Sequence, residues 1–454
     1  MPVTITGGMT MVGGATFTPP PPPPAFSGFT TSDFTAADDV IRPADVGETY
    51  LYPKSKKGGV RSFKISDTKF VTIGMYWLNS GSDENYYCTL SEIDSNGVIT
   101  QVDATELWPI QNTNVSNQDG DSGYCEIYQF DTDKYGIAEF YGNANGNGSQ
   151  NQNSYLRLFT LNTTTGAVSK QSNWTQLPKC DTSWSSRSSD ADRLGGGVAL
   201  DGTRLYTFRA IGAPDAVFTA LFRYRTYHWI HTINWSNFTI SSTPNTIYNE
   251  ENGQQMYNNL RSTTFLLPGG DTVMNIGMTG GGNNIGGLAV NVSGTNPSPG
   301  NRNDVRFEAY GGTMLNTNIQ SDGVGISSSL GVAFSEDVAG NLCAISFSVS
   351  GNNVSYTGTS LALGSTCSRD NKPIHLDNGR VLLCINSDGA TGHTWTVAQI
   401  DSDGTMSSTG TPVQNTSIES YPAINMFRLD DDTAVSVNRA ATTSNGSDAY
   451  TLTK

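Results

Sequence analysis

Charge is scarce in this chain of 454 residues: 26 basic and 41 acidic side chains amount to 15% of it, against about 25% in an average soluble domain. The net charge of −15, with lysines and arginines dispersed, excludes nucleic acid as the principal partner, because phosphate binding needs a concentrated basic footprint. Long apolar runs are also missing. Nothing approaches the ~20 consecutive apolar residues of a membrane helix, and the opening MPVTITGGMTMVGGATFT has neither a basic nor an apolar signal region, so neither membrane insertion nor Sec-type export is expected. Histidine is reduced to His228, His231, His375 and His393. His228 and His231 are three apart in a strand-like run, a spacing that points them to opposite faces, and no HExxH or other zinc spacing occurs. Six cysteines, at 88, 125, 180, 343, 367 and 384, show no CxxC pairing and read as free, buried thiols.

Helical periodicity is absent too: no window of a dozen residues places apolar side chains at i, i+3, i+4 and i+7. What is present is short strand signal. Runs of Val, Ile, Tyr, Phe and Thr, five to nine residues long, are separated by Asn-Gly, Asp-Gly, Gly-Gly and Ser-Gly turns.

These runs form a repeat. Residues 374–409 (IHLDNGRVLLCINSDGATGHTWTVAQIDSDGTMSST) read as four strands with turns at Asp377-Asn378-Gly379 and Asp401-Ser402-Asp403-Gly404. The segment from Phe63 follows the same order and repeats the second turn as Asp94-Ser95-Asn96-Gly97. Second strands of further copies start near Lys69, Lys134, Arg204, Asp271, Asn341, Arg380 and Thr433, at intervals of 65, 70, 67, 70, 39 and 53 residues. Known propeller repeats run to ~40–50 residues per blade, so the longer intervals carry loop insertions.

A lone four-stranded meander cannot bury both faces, whereas seven arranged radially can. The expected fold is therefore all-β: a seven-bladed β-propeller of four-stranded blades over residues 39–454. A pair of β-sandwiches and a β-solenoid are the alternatives. The last copy has three strands before Lys454, and Asp39–Tyr52 (DVIRPADVGETYLY) is expected to supply its fourth and close the ring. Upstream, six prolines at 19–24 favour an extended polyproline rod. They make 19–38 a linker and set off an anchoring peptide, 1–18, whose apolar positions are Val3, Ile5, Met9 and Met11.

Catalytic motifs are missing. There is no GxSxG, no phosphate loop, no sialidase-type Asp box, and nothing selects a carboxylate pair among the 41 acids. GGGNNIGG (280–287) reads as a loop. The oxygen-rich loops Asn117–Asp121 and Asp401–Asp403 could attract a hard cation, but Asp-Gly turns are ordinary hairpin chemistry and no metal site is assigned. No catalytic residue and no cofactor are expected. Tyr224, Tyr227, Trp229 and Trp235 form the densest aromatic segment, suited to carbohydrate or protein recognition, unless alternate rings pack between blades.

The opening MPVTITGGMTMVGG followed by TFTPPPPPP resembles the start of virion structural proteins of marine tailed phages, cyanophages included. The body is similar in plan to kelch-type propellers, GGGVALDGTRLYTF (195–208) being the most kelch-like copy, although paired glycines and spaced Tyr and Trp do not recur in every repeat. The phage resemblance implies a non-enzymatic virion protein: a decoration, fibre or knob subunit, made in the host cytoplasm. It would be attached to capsid, tail or fibre proteins by the N-terminal peptide, with adhesion to a host-surface glycan as the implied role. The alternative is a propeller glycoside hydrolase or lyase acting on surface polysaccharide.

Overall fold

The computed structural model describes residues 34–41, 60–78, 83–109, 123–141, 154–178, 194–214, 222–243, 246–250, 263–279, 284–300, 303–306, 322–336, 341–366, 373–376, 379–385, 393–415, 424–430, 433–439 and 447–453. Val3, Ile5, Met9, Met11 and the prolines 19–24 lie outside these. All regular structure among the described residues is β, and no helix there is long and apolar enough to cross a membrane.

The strands fall, among the described residues, into seven antiparallel sheets. β1 (Phe34–Ile41) joins the last of them. The next sheet is β2 (Val60–Ser66), β3 (Lys69–Leu78), β4 (Asp83–Ile93) and β5 (Ile99–Pro109). It is followed by β6 (Gly123–Asp131), β7 (Lys134–Tyr141) and β8 (Ser154–Leu161), whose outer partner is split into β9 (Val168–Lys170) and β10 (Thr175–Gln176). The third sheet is β11 (Leu194–Ala199), β12 (Arg204–Pro214) and β13 (Phe222–Asn234), with the outer pieces β14 (Thr239–Ser242) and β15 (Thr246–Glu250). The fourth is β16 (Thr263–Leu266), β17 (Thr272–Thr279) and β18 (Asn284–Asn291), with β19 (Ser298–Pro299) and β20 (Asn303–Arg306) outside. Next come β21 (Asp322–Ser327), β22 (Leu330–Glu336), β23 (Asn341–Ser350) and β24 (Asn353–Thr366), then β25 (Ile374–His375), β26 (Arg380–Ile385), β27 (His393–Ile400) and β28 (Met406–Asn415). The last sheet is β29 (Ile424–Arg428), β30 (Thr433–Arg439) and β31 (Ser447–Thr453), with β1 outermost.

Consecutive residues explain how the sheets stack. In a strand, neighbouring side chains point to opposite faces, yet Phe70, Val71, Thr72 and Ile73 are all 0% exposed. Phe70 packs with Phe427, Leu429, Val435 and Val437 of the last sheet, while Val71 and Ile73 pack with Cys125, Tyr135 and Phe159 of the second. Along β7, Tyr135 and Ile137 face the first sheet, and Ala138 and Phe140 face Leu205 and Ile233 of the third. Val273 faces the third sheet while Met274 and Ile276 face the fifth. Burying such a side chain fully is worth ~1.5–3 kcal/mol. With both faces of most sheets covered, the strand centres have no solvent face on which to carry charge.

Polar contacts join the same neighbours. Gln129 Nε2 donates to Lys64 O (3.0 Å), Gly197 N to Glu126 Oε2 (2.8 Å), Asn275 Nδ2 to the Tyr206 hydroxyl (2.9 Å), Asn352 Nδ2 to Ser298 O (2.9 Å), Ser346 Oγ to Gly404 O (2.8 Å), and the Arg428 guanidinium to Leu376 O. The last sheet meets the first through the Phe70–Phe427 ring pair, 5.3 Å between centroids. The first strands β2, β6, β11, β16, β21, β25 and β29 touch in that order, and β29 touches β2. This cyclic stack around an axis is the β-propeller architecture.

The Asp-Gly turns act as expected. At the β4–β5 turn, Asp94 Oδ1 accepts the Asn96 and Val98 N–H groups at 2.8 Å each. Those backbone donors, Val98 first, hold its carboxyl below the usual range. Gly97 and Gly404 take the same left-handed φ (77° and 87°). Gly379 is the tightest of the described left-handed glycines: φ is 78°, and a Cβ there would lie 1.9 Å from Ile400 O. Gly379→Ala is therefore expected to lose about 2 kcal/mol or more, since strain and a backbone clash combine. Gly351→Ala, with φ 61° but nothing within 4 Å, should lose only about 1 kcal/mol. Equal denaturant midpoints for the two variants would contradict this placement.

Three expectations shift. The second strand of the fifth sheet is β22, from Leu330, whereas Asn341 begins the third. The step to Arg380 is then 50 residues, and the anomalous interval of 39 disappears. The strand that pairs with β31 is Phe34–Ile41 rather than Asp39–Tyr52, running Phe34↔Leu452 to Ile41↔Ser447, so it takes in five residues of the expected 19–38 linker. Residues 42–59 lie outside the description. Finally, Asn284-Ile285-Gly286-Gly287 of the glycine-rich stretch are strand, paired with β17. Gly287 lacks a side chain where Val354, Met274 and Phe347 crowd in.

Candidate functional site: the axial channel

The seven first strands enclose a cavity of about 560 Å³, to which each of them contributes wall residues. β2 supplies Arg61, Phe63 and Lys64, β6 supplies Glu126, Tyr128 and Gln129, and β11 the small Gly197. Thr264 of β16, Val324 of β21, His375 of β25, and Asn425, Met426 and Arg428 of β29 complete the circuit. Gly197 is required here, because a Cβ would lie 2.5 Å from the Tyr128 hydroxyl and 2.7 Å from Tyr206 O.

Polar groups of the wall are held in place. Glu126 Oε2 accepts from the Tyr128 hydroxyl at 2.6 Å and from Gly197 N–H at 2.8 Å, tying the second sheet to the third. Arg428 Nε donates to Asp430 O at 2.8 Å. Lys64 Nζ meets Asp67 at 2.7 Å, with 38% of the lysine side chain exposed. Among the described lining residues, Glu126 is the one carboxylate, beside the cations Arg61, Lys64 and Arg428.

From Thr264 a hydrogen-bond chain runs into the protein. Thr264 Oγ1 donates to Asn275 Oδ1 (3.1 Å), Asn275 Nδ2 donates to the Tyr206 oxygen (2.9 Å), and the Tyr206 hydroxyl shares a hydrogen bond with His228 Nδ1 (2.7 Å). On the other face of β13, His231 bridges Thr207 Oγ1 and Ser242 Oγ, each at 2.8 Å. Both imidazoles are fully buried, and burial brings each down to about 3. They face opposite neighbours, as their spacing requires.

The aromatic candidates lie elsewhere. Tyr227 and Trp229 are 0% and 2% exposed, stacked 5.9 Å apart. On β13 they share a face with His231 and with Ile233, which packs on the second sheet. Trp235 packs edge-on against Phe130 (5.3 Å) and donates to Gly202 O at 2.6 Å. These three rings pack against other side chains of the sheets, the alternative that the sequence leaves open for alternate rings on a buried strand. For Tyr224 the backbone is described, opposite Gly212 and Glu250.

Cys88, Cys125 and Cys343 are free thiols, and burial pushes Cys88 well up and Cys125 up to about 12, so neither of these two is a nucleophile at neutral pH. A buried Glu139 accepts from Tyr86 (3.0 Å). Beside it Arg157, brought down to about 10 by burial against the opposing pull of Glu139, lies 4.5 Å from the Trp108 ring centre. No group of three or more His, Cys, Asp or Glu is placed to hold a metal among the described residues. Asp403 accepts the Thr405 N–H at 2.8 Å, as turn chemistry predicts. Asn117–Asp121 lies outside the described residues.

No family model matches the sequence, and no curated protein does. Solved structures with a related chain path include a protein of unknown function from Dyadobacter fermentans, 10% identical, covering 93% of this chain and 100% of that one with a TM-score of 0.43. The K499G mutant of NanB sialidase from Streptococcus pneumoniae is 12% identical over 92% of this chain and 70% of its own, TM-score 0.44. The β-propeller domain of the Trilobed protease from Pyrococcus furiosus is 10% identical over 89% and 95%, TM-score 0.34. These values describe chain path and say nothing of activity.

Proposed function

We propose that this chain is a seven-bladed β-propeller of four-stranded blades, closed by its N-terminal strand β1, and that it serves as a non-enzymatic virion accessory protein. In this reading it is a decoration, fibre or knob subunit, with residues 1–18 as the anchor to capsid, tail or fibre proteins. The prolines at 19–24 act as spacer and the ring is displayed for adhesion to a host-surface glycan. The observation that carries the reading is the β1–β31 pairing, with β1 outermost. It starts the described chain on the outermost strand of its sheet rather than on a strand that lines the channel, which suits a tether. The resemblance of the N-terminal sequence to phage virion proteins supports the anchor. Glycoside hydrolysis, the alternative, works through two carboxylates ~5–10 Å apart. Glu126 is already engaged by two donors, which suits orientation and recognition better than acid–base cycling.

Deleting residues 1–24 is expected to abolish incorporation into particles while leaving the melting curve of the ring unchanged. Incorporation at the normal level would overturn the anchor, and shortened chains after incubation with host polysaccharide would favour the hydrolase.

A further inference from the structure

We propose that the axial channel binds a small organic anion of monosaccharide size, a sugar acid, with its carboxylate on Arg61 and with Lys64 and Arg428 adding positive charge. The cavity of about 560 Å³ falls within the ~300–1,000 Å³ of small-molecule sites. Its charge runs against that of the chain. Acids outnumber bases 41 to 26 overall, whereas the described wall sets Arg61, Lys64 and Arg428 against the single carboxylate Glu126, with Lys64 ion-paired to Asp67. A concave, low-dielectric wall focuses such a field on whatever enters. An arginine fork is the natural partner of a planar carboxylate. Glu126, fixed by Tyr128 and Gly197, keeps oxygen lone pairs available to accept from a hydroxyl group. Phe63 and Met426 supply apolar wall for a sugar face. A polyanion is disfavoured by the net charge of −15; a single carboxylate inside the channel is not.

The proposal gives the adhesion reading a ligand class but stands on the inner strands alone, so the two fail separately: loss of residues 1–24 leaves the channel intact, and Arg61→Gln leaves the anchor intact. The test is calorimetric titration of the full chain with sodium glucuronate at low salt. Stoichiometric binding is expected, about tenfold weaker in Arg61→Gln, the loss of one charge-assisted contact. In Lys64→Gln, a half-exposed position that should not affect folding, the decrease should be smaller and more salt-dependent. Absence of glucuronate binding, or binding unchanged in both variants, would overturn the proposal. Glucose binding equally well would remove the anion, and inorganic phosphate binding equally well would remove the carboxylate.

Discussion

Acidification from pH 6.5 to 4.5 is expected to destabilise the folded ring by roughly 5 kcal/mol through two side chains alone, His228 and His231. An unfolded chain protonates both imidazoles below about 6.5. In the folded chain burial holds each down to about 3, so across that interval unfolding takes up two protons that folding refuses. Stability is therefore fully present above about 6.5, falls by about 1.4 kcal/mol per pH unit for each histidine as the pH drops, and levels off once the folded rings protonate near 3. Desolvation is the cause, and the Tyr206 hydroxyl beside His228 and the Thr207 and Ser242 hydroxyls beside His231 are neutral partners that do not favour the charged ring. Denaturant midpoints across this range for His228→Gln and His231→Gln check it. Measured against its own value at pH 7, each variant should lose about half of the acid slope, and a slope unchanged in the double variant would contradict the account.

The pairing of β1 with β31 carries the second large effect. Deleting residues 1–41, unlike 1–24, removes β1 and its five registered pairs with β31. At ~1 kcal/mol per net backbone hydrogen bond this costs roughly 5 kcal/mol. It also bares the β31 edge, a template for pairing with other chains, so the shortened protein should melt earlier and self-associate.

Much of this architecture was readable from residues. Six of the seven second strands start where a turn followed by a continuous apolar run predicts, because stacked sheets have no polar face and the run is unbroken, as in KFVTI at 69–73. β22 escapes the sequence pattern because Ser328-Ser329, a weak turn signal, precedes it, while Ala339-Gly340 before the third strand at Asn341 mimics the turn that precedes a second strand. Sequence places the β31 partner too late because Ala36-Ala37-Asp38-Asp39, residues depleted in strands, interrupt FTAADDVI; an outer strand is placed by its register with β31 rather than by propensity. The aromatic run at 222–235 is ambiguous for the same reason that makes the repeat legible: Tyr227 and Trp229 are buried on a strand with both faces covered, so alternation cannot mark a binding face. The channel left no sequence signal at all, since Arg61 and Arg428 come from opposite ends of the chain and meet only when β29 reaches β2.

The central claim, a ring closed by its own N-terminal strand, is tested most directly by cross-linking Ala37→Cys to Ala449→Cys, which are register partners on β1 and β31. The account predicts that the pair oxidises within one chain and raises the denaturant midpoint, while a control pair one step out of register, Ala36→Cys with Ala449→Cys, does not. Free thiols in the in-register pair, or a disulfide that forms only between chains, would contradict it.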